Sequence, residues 1–149
     1  MAEKTIIMRK VAHILQRKGK NVVSVLPSLT VLEALKMMAD MNIGSLAVMD
    51  EGKFLGIMTE RDYSRKVILK GRSSTDTTVG EIMSPDFPAV SENDSVEHCM
   101  KLMSEKNLRY LPVMENNQLN GILSINDVVT ETILMQQETI SHLENYIQS

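Results

Sequence analysis

Two stretches of this chain carry the same combination of reactive side chains. Gly56-Ile57-Met58-Thr59-Glu60-Arg61-Asp62 and Gly121-Ile122-Leu123-Ser124-Ile125-Asn126-Asp127 each read glycine, two apolar residues, a hydroxyl, two more residues and an aspartate. Each hydroxyl falls where an apolar run ends, and each aspartate falls in the first turn of the helix that should follow. This spacing collects a hydroxyl, a carboxylate and free backbone N–H groups at one helix N-terminus. Such N–H groups and the helix dipole can bind phosphate. The carboxylate repels phosphate but accepts hydrogen bonds from the cis-diol of a ribose. One helix end therefore offers contacts to both halves of a nucleotide. Arg61 adds a cation to the first stretch, and Arg109 is a candidate near the second. The same spacing is also a capping box, in which hydroxyl and acid close a helix end on each other. Both readings stay open, because a duplication copies a structural cap as readily as a ligand site.

Other constellations are poorer. His13, His98 and His142 lie far apart and have no metal-ligand partner at helical spacing, so no metal site is expected. Cys99 falls on an apolar helix face opposite Ala34 of the other stretch, which suits a small buried side chain better than a nucleophile. No Ser/His/Asp triad suggests itself, and the glycine-rich phosphate and dinucleotide loops are absent. No catalytic residue is expected, and the chain reads as a non-enzyme. The basic run Arg61, Arg65, Lys66, Lys70 and Arg72 suits a solvated helix face, with ligand phosphate and nucleic acid as lesser readings.

The elements that position these residues come as a repeat. Shifting the chain by 65 residues aligns 25–63 with 90–128 without a gap. Identities include Val25/Val90, Val31/Val96, Asn42/Asn107, Leu46/Leu111, Val48/Val113, Gly56/Gly121 and Asp62/Asp127. Upstream, residues 11–15 resemble 79–83 at an offset of 68. Each copy reads as β-α-β-β-α. A short apolar run opens it, at 22–25 and around Val90. A helix follows, with Val31, Leu35 and Met38, or Val96, Met100 and Met103, at helical spacing. Thr30 with Glu33 forms a capping box, and Ser95 caps the second copy. Asn42 and Asn107 suit the left-handed C-terminal cap. Two strands come next, 46–49 with 54–58 and 111–114 with 119–123, joined by four-residue polar links. The boundaries expected are 11–70 for the first repeat, 71–78 for a linker, 79–132 for the second repeat and 133–149 for a helical tail. Along the closing helix, which begins near Asn126 and can continue through the tail to Ile147, Val129, Ile133, Ile140, Leu143 and Ile147 trace one apolar face, broken by Gln136. It must pack on its own core or on a partner.

The whole chain has 149 residues and 43% hydrophobic content, enough to fold without disulfide or metal. A net charge of −3 and 3% aromatic residues argue against nucleic acid as a partner. The single cysteine fits a reducing compartment, no secretory signal is evident, and no apolar run is long enough to span a bilayer. The expected setting is cytoplasmic, with no membrane partner.

The ordered set of motifs, present twice, resembles a tandem pair of cystathionine-β-synthase (CBS) domains, a Bateman module, of the stand-alone subgroup. The resemblance rests on the two signature stretches, on 42–48 and 107–113, and on Thr30-Val31 with Ser95-Val96, and it covers about 11–132. It implies an α+β fold: two β-α-β-β-α repeats packed about a pseudo-twofold axis, plus the C-terminal helix. It implies clefts that bind adenine nucleotides such as AMP, ATP or NAD(H), with no cofactor required. Asp62 and Asp127 would then hold ribose hydroxyls, and Thr59 and Ser124 the ribose or phosphate side. Main-chain groups around Ser24, Val25, Ala89 and Val90, with Ile43 and Leu108, would frame the adenine. Gly44, Arg109, Tyr110, Pro112, Arg61 and Asn126 complete the expected surroundings. The implied function is a regulatory sensor that transmits occupancy to a protein partner or an oligomeric state, with a homodimer expected. The alternative is a structural dimerisation module with degenerate clefts.

Overall fold

The computed structural model describes residues 9–148. Residues 1–8, which include the short apolar run Ile6-Ile7-Met8, and Ser149 of the tail lie outside the described residues. The elements in chain order are α1 (Val11–Lys18), β1 (Ser24–Val25), α2 (Val31–Met41), β2 (Ser45–Asp50), β3 (Lys53–Thr59) and α3 (Glu60–Tyr63). A π-helical turn, Ser64–Ile68, prolongs α3. Then come α4 (Val79–Ile82), α5 (Val96–Lys106), β4 (Tyr110–Glu115), β5 (Gln118–Ser124) and α6 (Ile125–Gln148).

The two central helices form for the same reasons. In α2 the Thr30 hydroxyl accepts the Glu33 N–H at 3.2 Å, and Val31, Ala34 and Met38 line the buried face. In α5 the Ser95 hydroxyl accepts the His98 N–H at 3.0 Å, and Val96, Cys99 and Met103 take the equivalent places. The hydroxyl satisfies one of the donors a helix start leaves free. The reciprocal arm expected from Glu33 is not made; its carboxylate lies 3.7 Å from Lys36 instead. Both helices end on a left-handed asparagine, Asn42 at φ 55° and Asn107 at φ 53°. That conformation costs an ordinary L-residue about 1–2 kcal/mol and is eased for asparagine by its short polar side chain.

Each helix leads into a hairpin. β2 pairs antiparallel with β3, and β4 with β5, with a register irregularity after Val48 and Val113 respectively. The links are tighter than expected. Asp50 pairs with Lys53 and Glu115 with Gln118, which leaves two-residue turns. Glu51-Gly52 and Asn116-Asn117 both take positive φ, the geometry whose twist matches paired strands. The opening strands are shorter than expected. β1 is two residues parallel to β2, and Val90 makes only an isolated parallel bridge to Val113.

The described chain forms two compact units. One is Asn21–Phe87; the other joins 9–20 to 88–148. The core of the first holds Val31, Ala34, Leu46, Val48, Met58 and Val67, and also Val79 and Ile82 of α4. The core of the second holds Val96, Cys99, Leu111, Val113, Leu123 and Val128, and also Val11, Ile14 and Leu15 of α1. Each copy's hairpin is therefore roofed by the opening helix of the other copy, so the units of packing are not the units of repetition. The repeated glycines mark the contact. A Cβ on Gly56 would lie 2.7 Å from the Ser84 carbonyl oxygen, and one on Gly121 would lie 2.8 Å from a Leu15 methyl.

A buried ion cluster ties the second unit together. The Glu131 side chain on α6 is fully buried. Its Oε1 accepts Arg17 Nε at 3.1 Å and Nη2 at 2.9 Å. Arg9 Nη1 lies 2.9 Å from Oε2, out of hydrogen-bonding line, so that pairing is ionic. Arg9 also pairs with Glu138. The tail's apolar stripe does not pack on this core: Val129, Ile133, Ile140, Leu143 and Ile147 are 40–80% exposed. Val128 and Glu131 face inward in their place. No helix among the described residues is long and apolar enough to cross a membrane.

Candidate ligand-binding site

The two signature stretches fold as the residue spacing requires, and both close as reciprocal capping boxes. In the first unit β3 delivers Thr59 to the start of α3. The Thr59 N–H and hydroxyl donate to Asp62 Oδ2 at 2.9 and 3.0 Å, and the Asp62 N–H donates to the Thr59 hydroxyl at 3.1 Å. In the second unit β5 delivers Ser124 to α6. The Ser124 N–H donates to Asp127 Oδ2 at 2.8 Å, and the Asp127 N–H donates to the Ser124 hydroxyl at 3.1 Å. One further N–H at each helix start is taken up locally: Glu60 N–H by the Gly44 carbonyl at 3.2 Å, Ile125 N–H by the Arg109 carbonyl at 2.8 Å.

The other carboxylate oxygen is where the units part. Asp62 Oδ1 accepts the Ser84 hydroxyl at 2.8 Å and lies 3.1 Å from Lys66 Nζ. Lys66 also donates to the Ile82 carbonyl at 2.9 Å and the Ser84 hydroxyl at 3.2 Å. Asp62 and Thr59 are each only 6% exposed. A carboxylate has about four acceptor positions, and Asp62 has all of them engaged. Asp127 is more open. Lys18 Nζ donates to its Oδ2 at 2.6 Å and to the Ile122 carbonyl at 2.8 Å. Oδ1 of Asp127 has no protein donor among the described residues.

The difference has a local cause. Pro85 is incompatible with α4 running on, because the residue before a proline is pushed out of the helical region. Ser84 therefore runs extended and bonds Ile57 at both its N–H and carbonyl, at 2.9 and 3.0 Å. That bridge lays the Ser84 hydroxyl on Asp62. Copy one has no proline at the matching position, so α1 continues to Lys18 and places an ammonium at Asp127 instead.

The remaining expected residues divide between the units. Ser24 is exposed and Val25 buried on β1; Ile43 and Gly44 are half-buried in the turn that leads to β2, and Arg61 is half-buried on α3. In the second unit Ala89, Arg109 and Asn126 are exposed, Leu108 and Tyr110 half-buried, and Val90 and Pro112 buried. Val90 and Pro112 are joined by a Val90 N–H to Pro112 carbonyl bond of 3.0 Å. Three contributors are not read from the sequence as partners of the aspartates. Lys66 is expected on a solvated basic face, yet it stands four residues after Asp62 on one helical side and pairs with it. Ser84 and Lys18 approach from remote segments. Cys99 is fully buried, and burial pushes its thiol up to about 12.

A family model described as CBS domain matches residues 8–68 and 79–133. The chain belongs to the CBS-domain family. It is 39% identical over 124 residues to the mitochondrial CBS domain-containing protein CBSX3 of Arabidopsis thaliana. That match takes in 80% of this chain and 60% of the plant protein, so the chain spans about three fifths of that relative. Among solved structures, the CBS domain protein NE2398 superposes with a TM-score of 0.81 at 43% identity, covering 85% of this chain and 99% of that one. The CBS domain pair of protein MJ0100, crystallised with 5′-methylthioadenosine and S-adenosylmethionine, has a TM-score of 0.74 at 26% identity, covering 85% and 97%. The α+β fold of two CBS repeats with a C-terminal helix is thus the fold of the family.

Proposed function

We propose that this CBS-domain chain is a non-enzymatic regulatory module that binds an adenine nucleotide, AMP, ATP or NAD(H), and transmits occupancy to a protein partner or to its own oligomeric state. The observation that carries this reading is Asp127 on the first turn of α6, with one carboxylate oxygen open and the Lys18 ammonium on the other. An open carboxylate oxygen suits a ribose hydroxyl, and an adjacent ammonium suits a phosphate. Ser124, Asn126, Arg109, Tyr110, Leu108, Pro112, Ala89 and Val90 are the surroundings we assign to it. The adenosine ligands of MJ0100 support the ligand class. Thr59, Arg61, Asp62, Ser24, Val25, Ile43 and Gly44 form the matching set in the other unit. A switch of this kind requires different ligand affinity in its two states.

Calorimetry with AMP, ATP, NAD(H) and S-adenosylmethionine tests the proposal. Wild type should bind at least one of the nucleotides, and Asp127→Ala should lose it while staying folded. A folded wild type that binds none of them overturns the reading. The second reading, a structural module with degenerate ligand sites, is favoured by the saturated Asp62, which offers a ribose no free acceptor. It predicts a stable dimer without ligand. Its single cysteine suits a reducing compartment such as the cytoplasm; the plant relative is named as mitochondrial.

A further inference from the structure

We propose that the exposed face of α6 is a seam for a second copy of this chain, and that the two α6 helices pair parallel and in register through Ile133, Gln136, Ile140, Leu143 and Ile147. This rests on the self-association part of the proposed function and names its surface. The residues Val129, Ile133, Gln136, Ile140, Leu143 and Ile147 follow one another at intervals of 4, 3, 4, 3 and 4. That alternation is the heptad seam of a two-stranded coil. Isoleucine occupies one seam position three times, and valine, glutamine and leucine alternate at the other. β-Branched residues at the first position favour two parallel strands where leucine stands at the second, as it does at Leu143. The apolar members are exposed: Val129 40%, Ile133 48%, Ile140 57%, Leu143 44% and Ile147 80%. The seam beyond Ile133 also lies outside the residues matched by the CBS-domain family model.

Charge points to the same occupant. Residues 125–148 contain no lysine or arginine. Among the acidic side chains of α6, Glu131 is buried against two arginines and Glu138 is paired with Arg9. The positions flanking the seam are Thr130, Thr132, Gln137, Thr139, Glu144 and Tyr146. In a parallel pair Glu144 would face a threonine of the other copy, so no like charges meet. A charged partner would find almost nothing to read on this face. Gln136 decides the orientation. Parallel and in register, the two Gln136 amides meet and bond each other. Antiparallel, each would be buried against Ile140 with no partner, at the cost of an unsatisfied polar group.

Sedimentation velocity on the full chain across a dilution series is the test. We expect a monomer–dimer equilibrium, weakened roughly a hundredfold or more in Ile140→Asp/Leu143→Asp, because both side chains leave the seam on both copies. Circular dichroism should be unchanged, since these side chains face solvent in the monomer. If that variant fails to fold, Ile147→Asp, at the most exposed seam position, replaces it. Leu143→Cys in a Cys99→Ala background should oxidise to a covalent dimer, which only parallel pairing allows. A full chain that is monomeric at every concentration overturns both the seam and the self-association reading. A dimer unaffected by the seam variants overturns the seam alone. A seam-dependent dimer in which Ile133→Cys/Leu143→Cys crosslinks and Leu143→Cys does not overturns the parallel register.

Discussion

Asp62 and Asp127 occupy matching places in a repeated motif and do different work. Asp62 takes hydrogen bonds from Thr59 and Ser84 and an ion pair from Lys66, in a nearly buried setting. Removing it strands several donors at once, so Asp62→Ala should cost about 2–4 kcal/mol in stability. Asp127→Ala removes a helix cap and a half-exposed ion pair and should cost only about 1 kcal/mol. Chemical denaturation of the two variants checks this; equal losses would contradict it. Cys99 gives a pH signature. Burial raises its pKa from 9.0 to about 12, so the folded protein keeps the thiol proton that the unfolded chain releases. Between those values the native state binds more protons, and its stability should fall as pH rises through that window. Thiol-reagent labelling near pH 9 should be slow in the native state and fast after unfolding; fast native labelling would refute the burial argument. Glu92 shifts the other way: its carboxyl is held below the usual range, first by the Asn120 hydrogen bond and also by Lys20.

At the scale of elements, the repeated glycines separate two kinds of roof. Gly56 meets backbone, the Ser84 carbonyl, whereas Gly121 meets the end of the flexible Leu15 side chain. Gly56→Ala must therefore shift a bridged strand and should cost about 1–3 kcal/mol, whereas Gly121→Ala can be absorbed by a leucine rotamer for less. Thermal melts of the two variants decide it, and a costlier Gly121→Ala would contradict the packing. Helices, caps and hairpins were legible from periodicity and from the residues at their ends: Thr30, Ser95, Asn42 and Asn107 all cap where their types suggest. Strand lengths were less legible. Asp50 and Lys53 looked like loop because both are charged, yet the two-residue turn between them brings them into register.

At the scale of the whole chain, the N-terminal segment is held in the second unit by burial and charge together. Val11, Ile14 and Leu15 are at most 2% exposed, and Arg9 and Arg17 flank the buried Glu131. The ion cluster should be asymmetric to mutation. Arg9→Ala/Arg17→Ala leaves a buried carboxylate without compensation and should cost about 3–5 kcal/mol. Glu131→Ala leaves two arginines that already reach water, 21% and 40% exposed, and should cost less. Denaturant midpoints of the two variants test this; a costlier Glu131→Ala would show that the arginines are not free to hydrate. Sequence similarity groups each opening helix with its own repeat, whereas burial follows whichever hairpin the helix covers.

By itself the sequence determined the duplication, the order of elements in each copy, their caps and the two hydroxyl-aspartate motifs. These are local: periodicity, cap chemistry and turn residues act over a few positions. Only the tertiary structure decided which helix roofs which hairpin, that Ser84 saturates Asp62 while Lys18 leaves one oxygen of Asp127 open, and that the tail's apolar face points to solvent. Those outcomes depend on contacts between segments far apart in the chain. A single proline after Ser84, absent from the other copy, is enough to make two like motifs unlike.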